Sequence, residues 1–355
     1  IFGSLLHLYP INALPDKEIG YPDKVIQVYR RAERQEGAER DMVETFRFFS
    51  QQQSGTVDRA GKRSHDKRRE HSLPAGQSPD AGHQEDIPFP DGFRTTDTRF
   101  ELFLESLKAA GVGPDRICAV ILESYQGGGA SFAPKDYIQK LRKWCSENKV
   151  LLIFDEVQAS FGRTGKLFAF EHYEVVPDLV AFGKGITSSL PLSAVLGRSD
   201  VMDIFPPGSM TSTHTGSPLA VAAALASLDV IQKKDLCAKT LALGELFFKE
   251  LAKIQAKHPA RIGALHGKGL VAGLHVVKPG TKDPDGELAF KVNQRGIEKG
   301  LLMFAPVGFG GGTVKVAPPL VITPEALVEG CQVLQEAFDE VIAEEGAASA
   351  ADRGK

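Results

Sequence analysis

VLLIFDEVQASFGRTG, Val150 to Gly165, is the stretch whose reading decides the fold. Five apolar residues run directly into Asp155 and Glu156. An apolar run this short reads as a strand buried on both faces, the kind that forms the centre of a parallel sheet. Asp155 then stands where the strand leaves the core. A partly buried carboxylate there costs on the order of several kcal/mol unless a partner offsets it.

The flanking sequence repeats the pattern. Upstream, ELFLESLKAAG predicts a helix stopped by Gly111, and ICAVILES predicts a buried strand ending at Glu123. PKDYIQKLRKWCSENK predicts a helix with Pro134 in its first turn and Ile138, Leu141, Trp144 and Cys145 on one face. Downstream come the strand DLVAF, then Gly183-Lys184-Gly185, then the strand PLSAVLGR. SPLAVAAALASLDVI predicts a helix with Ser217 as N-cap and Pro218 at its first position. Strands alternating with helices predict an α/β fold whose large domain holds a mostly parallel sheet covered on both faces.

After about Asp235 a second unit begins. It reads as a helix over Leu241 to Ile254, the strand LVAGLHVV, a helix through LAFKVNQRGIEKG, short strands around Leu302 and Val314, and a last helix from Pro324 to about Glu344. This is the pattern of a small α+β domain. The expected organisation is an N-terminal arm over 1–50, a linker over 51–87, a large domain over 88–235, a small domain over 236–345 and a frayed tail over 346–355. The arm ends in a charged stretch of helical character, DKVIQVYRRAERQEGAERDMVETFRFF. Residues 51 to 86 hold almost no large apolar residue and mix both charges with Gly, Ser and Pro, which predicts disorder. The basic run Lys62 to Arg69 within it is interleaved with acids and reads as solvated linker.

Bulk properties narrow the function classes. The 355 residues are 42% apolar and 25% charged, as in ordinary soluble globular proteins. A net charge of −3 gives no electrostatic case for nucleic acid or an anionic membrane. No apolar run approaches the roughly 20 residues of a membrane helix, and no signal peptide is recognisable. The four cysteines are far apart, form no CxxC pair and read as buried reduced thiols, which points to the cytoplasm. The nine histidines form no zinc motif, so no metal site is expected.

Ligands of parallel α/β sheets bind at the carboxyl ends of strands. Glu123, Asp155 and Lys184 all stand at such ends. A lysine amine in a partly desolvated site has a lowered pKa and can form a Schiff base. Pyridoxal phosphate needs that amine, and it needs an acid against its pyridine nitrogen so that the ring can take up electrons. Spacing alone leaves open that Asp155 caps a following helix and that Lys184 is an ordinary loop lysine. A Walker-type ATPase is a rival, because LLIFDE matches four apolar residues before Asp-Glu. Its phosphate loop would have to be GTVDRAGKR, which has one residue too many and Arg63 where Ser or Thr is needed.

The motifs decide between these. LLIFDEVQASFGRTGKLFAFEHYEVVPDLVAFGKGITSSLPLSAVLGR, STHTGSPLAVAAALASLDVI and VKVAPPLVIT together resemble the class III (subgroup II) aminotransferases, over residues from about 88 to 344. The 4-aminobutyrate and ornithine-type enzymes are similar in GKLFAFEHY and PLSAVLG. The resemblance implies the fold type I of pyridoxal-phosphate enzymes, like that of aspartate aminotransferase. It also implies transamination between a small amino acid or ω-amine and a 2-oxo acid. By the same resemblance Lys184 carries the Schiff base and shuttles the proton, and Asp155 pairs with the pyridinium nitrogen. Val157 packs on the ring, Gln158 bonds the phenolic oxygen, and Glu123 stands beside the cofactor. Thr213 binds the phosphate of the neighbouring subunit, which implies a homodimer. His214 has no role in the family pattern.

Three departures from that pattern follow. Gly128 stands where the family has a second Glu in Glu-Pro-x-Gln-Gly-Glu-Gly, here ESYQGGGAS. Lys315 stands where the family has an Arg that binds a substrate carboxylate; it is the expected substrate-binding residue, its charge suiting a carboxylate-bearing substrate, although a lysine lacks the bidentate fork. The family's small-residue phosphate loop and its aromatic-His-Gly segment are not recognisable. GAERDMVET at Gly37 is a faint echo of the first, and the stretch before Asp155 is shorter than the family's. The alternatives to an active aminotransferase are a truncated or non-catalytic paralogue lacking the phosphate cup, and another reaction of the same cofactor, such as decarboxylation, epimerisation or aminomutase chemistry.

Overall fold

The computed structural model describes residues 26–30, 84–206, 208 and 213–353. The expected linker disorder, the basic run and most of the N-terminal arm lie outside these residues.

The central strands form where the apolar runs predict them. β3 (Ile117–Glu123), β4 (Leu151–Asp155) and β5 (Leu179–Phe182) pair in parallel, β4 in the middle. Both faces are buried, as the absence of alternation requires. Val120, Leu122, Leu152 and Phe154 face one core, which is covered by α1 (Glu101–Ala109) and α2 (Lys135–Glu147). Ala119, Ile121, Ile153 and Leu179 face a second core, with Val201 from the short α3 (Ser199–Met202).

The sheet is mixed at its margins. β1 (Ile26–Arg30) pairs antiparallel with β3, and β2 (Gln84–Ile87) pairs antiparallel with β1. β6 (Ala194–Gly197) pairs antiparallel with β5, because the connection from Phe182 to Ala194 holds only a 3-10 turn and no crossover helix. Two expectations are corrected here. IQVYR belongs to a strand and not to a helix, since its β-branched and aromatic residues outweigh the charged run that follows. Residues 84–87, read as linker, supply an edge strand whose pairing comes from the β1 backbone.

α4 (Pro218–Lys233) and α5 (Leu236–Lys257) lead to a three-stranded antiparallel sheet of β7 (Ile262–Lys268), β8 (Val271–Val276) and β9 (Thr313–Val316). Ser217 is the N-cap of α4 with Pro218 first, as the sequence predicts, though its side chain makes no cap hydrogen bond. α6 (Gly286–Glu298) and α7 (Pro324–Arg353) pack with α5 on one face of this sheet, around Leu274, Val276, Val314, Leu288 and Phe338. The sequence pattern does not predict β7, because its glycines and histidine break the strand alternation. No strand forms around Leu302, which is exposed. The expected frayed tail is helical to Arg353, consistent with the helix propensity of its alanines.

Asp178 fastens the central strands. Its buried carboxylate accepts from Arg142 (2.7 Å), Arg198 (2.8 Å) and the backbone N–H of Leu152 (2.8 Å). Burial pushes its pKa up, but the N–H of Leu152 and the two guanidiniums outweigh this and hold it below the usual value. Asp178→Ala leaves Arg142 without its partner and is expected to lower the unfolding free energy by about 3 kcal/mol near neutral pH. The stabilisation is fully present above the unfolded carboxyl pKa and is lost as pH falls through the folded one. Denaturant midpoints of wild type and variant should therefore converge in acid.

Candidate active site

The strand register brings the acids together. Glu123 is level with Asp155, and Asp155 with Ala181 on β5. β5 ends at Phe182, and Lys184 begins the 3-10 turn Lys184–Ile186 two residues on. Three neighbouring strand ends thus present Glu123, Asp155 and Lys184 at one end of the parallel core. Partial desolvation lowers the Lys184 pKa, opposed by the carboxylates of Asp155 and Glu123, although Lys184 stays exposed in the single chain.

The turn differs from expectation in one respect. Lys184 itself has φ +39°, whereas Gly183 is extended. The glycines provide room instead: a Cβ on Gly185 would stand 3.3 Å from Phe161 Cβ. A left-handed non-glycine residue stores strain, a common property of functional sites.

Asp155 Oδ1 accepts from the backbone N–H of Val157 at 2.9 Å, which fixes the chain direction after β4. Gln158 follows, and its side-chain oxygen accepts from Lys315 Nζ. The same ammonium donates to Gly127 O at 2.7 Å, and Gly127 N–H donates to Glu123 Oε2 at 3.1 Å. Glu123, Gly127, Lys315 and Gln158 therefore form one linked group. Burial pushes the Lys315 pKa down to about 8, with Glu123 opposing and the charges of Lys184 and Arg163 adding to the fall. Thr213 stands in an exposed turn, 213–216, ahead of α4, and none of these bonds reaches it.

Lys315 reaches this group from the second sheet. On β9, Thr313 and Lys315 are level with His275 and Gly273 of β8, and Gly273 is level with His266 of β7. The loop from Gln126 to Ser131 lies on this face. His275 Nε2–H donates to Gly129 O at 3.0 Å, and Ser131 Oγ is 2.6 Å from His266 Nδ1. Backbones approach closely: a Cβ on Gly273 would be 2.5 Å from Gly129 O, and one on Gly128 would be 2.9 Å from Gly308 Cα. Gly308 thus occupies the place into which a side chain at 128 would start.

Sequence reasoning missed three supports. Buried Tyr125 donates its hydroxyl to Gln158 O at 3.0 Å. Buried Glu156 accepts from Ser124 Oγ and from the N–H groups of Ala169 (2.9 Å) and Phe170 (2.8 Å), and burial raises its pKa to about 7. Arg163 donates to Leu270 O at 3.0 Å and to Pro318 O, joining the loop after β4 to the second sheet. Only the charge of Glu156 and Arg163 inside an apolar stretch marked them in the sequence. Among the described residues no group of three or more His, Cys, Asp or Glu is placed to hold a metal.

A family model for class-III aminotransferases matches residues 28–338. A 5-aminovalerate aminotransferase of Pseudomonas putida is 38% identical over 229 residues, covering 64% of this chain and 53% of that protein. An alanine/serine racemase of Pyrococcus horikoshii is 36% identical over 232 residues, covering 65% of this chain and 48% of that protein. The crystal structure of an S-selective transaminase from Arthrobacter sp. superposes with a TM-score of 0.65 at 29% identity, covering 75% of this chain and 62% of that one. The chain spans about half the length of the curated relatives it matches.

The glycines next to the site are separable by experiment. A Cβ on Gly127 would meet side chains, Gln158 Nε2 at 2.3 Å, Glu123 Oε1 at 2.8 Å and Gln158 Cδ at 2.9 Å, whereas one on Gly128 meets backbone. Gly127→Ala is expected to cost about 1 kcal/mol, because the Gln158 amide held by Lys315 must move aside. Gly128→Ala should cost ~2 kcal/mol, because the loop at Gly308 must shift. Urea midpoints of the two variants check this order.

Proposed function

Because the chain belongs to the class-III aminotransferase family, we propose that it is a pyridoxal-phosphate-dependent transaminase acting on a small amino acid or ω-amine with a 2-oxo acid acceptor. The observation that carries the reading is the meeting of Lys184, with its lowered pKa, and two strand-end carboxylates at the end of the parallel core.

The donor set fits the ring end of that cofactor. An amine of lowered pKa suits attachment to an aldehyde, and a strand-end carboxylate suits a pyridinium nitrogen. Lys184 would hold the cofactor, Asp155 would keep the proton on the ring nitrogen, and Val157 would pack on the ring face. Gln158 would donate to the phenolic oxygen, and Glu123 would stand beside it. When bound, the cofactor supplies an electron sink for the substrate carbon. Lys184 would carry a proton to and from the substrate carbon as general base and acid. Asp155 is oriented for its task by the Val157 N–H.

Assembly as a homodimer is part of the proposal, with Thr213 binding the phosphate held by the other subunit. Its support is the apolar surface of α4, where Leu219, Leu225 and Val230 are exposed in the single chain. Residence in the cytoplasm is supported by four free cysteines. No helix among the described residues is long and apolar enough to cross a membrane. Racemisation is the second reading, favoured by the similarity to the Pyrococcus enzyme. Chiral product analysis separates it from transfer.

The test is visible absorbance with added pyridoxal phosphate, followed by borohydride reduction and peptide mapping. Reduction is expected to fix the label on Lys184, and Lys184→Ala to lose both label and activity, the latter by roughly 10²–10⁴-fold or more. An unlabelled Lys184 in the wild type would instead mean a non-catalytic relative.

A further inference from the structure

We infer that Lys315 is a positioning residue for Gln158: it fixes the Gln158 amide toward the cofactor end of the site and does not anchor a substrate carboxylate. The inference rests on the reading of this site as one for pyridoxal phosphate.

Lysine has donors and no acceptor, so a bond between Lys315 Nζ and the Gln158 side chain settles which way that amide faces. Its oxygen must point to Lys315. Its NH2 group is thereby turned to the other side, packed against Gly127, where a Cβ would stand 2.3 Å from Gln158 Nε2 and 2.8 Å from Glu123 Oε1. Under the proposed reading, in which Glu123 stands beside the cofactor, that is the side from which a phenolic oxygen would take a donor. Without Lys315 the two ends of the amide are interchangeable, and a flipped amide would place an acceptor there.

Two further observations bear on Lys315 itself. The residue is about nine-tenths buried, and two of the three N–H bonds of its ammonium go to Gly127 O and Gln158 Oε1. A carboxylate clamp needs donors that face the substrate, and Lys315 spends them on its own chain. The backbone around it is also fixed: Gly127 is tied to Glu123, and Gly273, level with Lys315, is pressed against Gly129 O. Lys315 therefore cannot swing out without losing both bonds. The lowered pKa agrees with this confinement, since the groups that set it are burial, Glu123, Lys184 and Arg163.

The experiment is a double-mutant cycle on pyridoxal phosphate affinity, measured by equilibrium dialysis of the full chain. Borohydride trapping on Lys184 is run first on the wild type. Failure of that trap would overturn the cofactor reading, and this inference with it. With the trap positive, Lys315→Met is expected to weaken cofactor binding about tenfold, as for one hydrogen bond to a charged donor. The same change in a Gln158→Ala background should have less than about a twofold effect, because the amide it positions is gone. The visible band of the bound cofactor should shift alike in Lys315→Met and Gln158→Ala, and Lys315→Arg should restore it. Lys315→Gln, which keeps a donor amide, replaces Lys315→Met should the latter not fold by circular dichroism. The inference is overturned if the two substitutions add, or if Lys315→Met leaves cofactor affinity unchanged and raises the KM of carboxylate-bearing substrates.

Discussion

The site depends on the level ends of three parallel strands. Side chains alternate along a strand, so a slip of one residue would send Asp155 toward a core and Phe154 toward the ligand end. The register Glu123–Asp155–Ala181 excludes that slip, because Leu152 and Phe154 fill one core while Ile153 fills the other. Hydrophobic packing on two faces thereby fixes the position of the two strand-end carboxylates, Glu123 and Asp155. Asp178, at the opposite end of the same strands, locks the start of β4 to α2 and β6. The chemistry at one end of the sheet is thus held by an ion cluster at the other.

A second constraint is the run Gly127-Gly128-Gly129, where the two sheets meet through backbone. Each glycine faces a neighbour that leaves no room for a Cβ: side-chain ends at Gly127, Gly308 at Gly128, and Ser131 and His275 at Gly129. Glycine costs conformational entropy on folding, and it is retained here because the close approach lets Lys315 cross from β9 into the site of β3 and β4. Polar links from His266, His275 and Arg163 secure the same junction.

Much of this was legible beforehand. Unbroken apolar runs announced β3, β4 and β5, a one-sided apolar face announced α2, and the Ser217-Pro218 start announced α4. The family motif singled out Asp155 and Lys184. What escaped has physical reasons. β1 carries its strand signal in five residues beside a charged run, and β2 forms because a partner offers backbone, which no local pattern records. The bond from Lys315 to Gln158 spans 157 residues and is invisible to spacing. Gly128 could be seen as a departure from the family pattern, but its cause, the Gly308 backbone, belongs to the fold.

Lys184 has one more consequence. Its left-handed backbone is a conformation that glycine adopts freely and lysine adopts at a cost of about 1 kcal/mol or more. The residue that the proposed chemistry would require is therefore the wrong one for its own peptide geometry. Selection for a sturdier chain and selection for a working one pull in opposite directions at this position. Lineages freed from catalysis would drift toward glycine here and gain stability as they lost function.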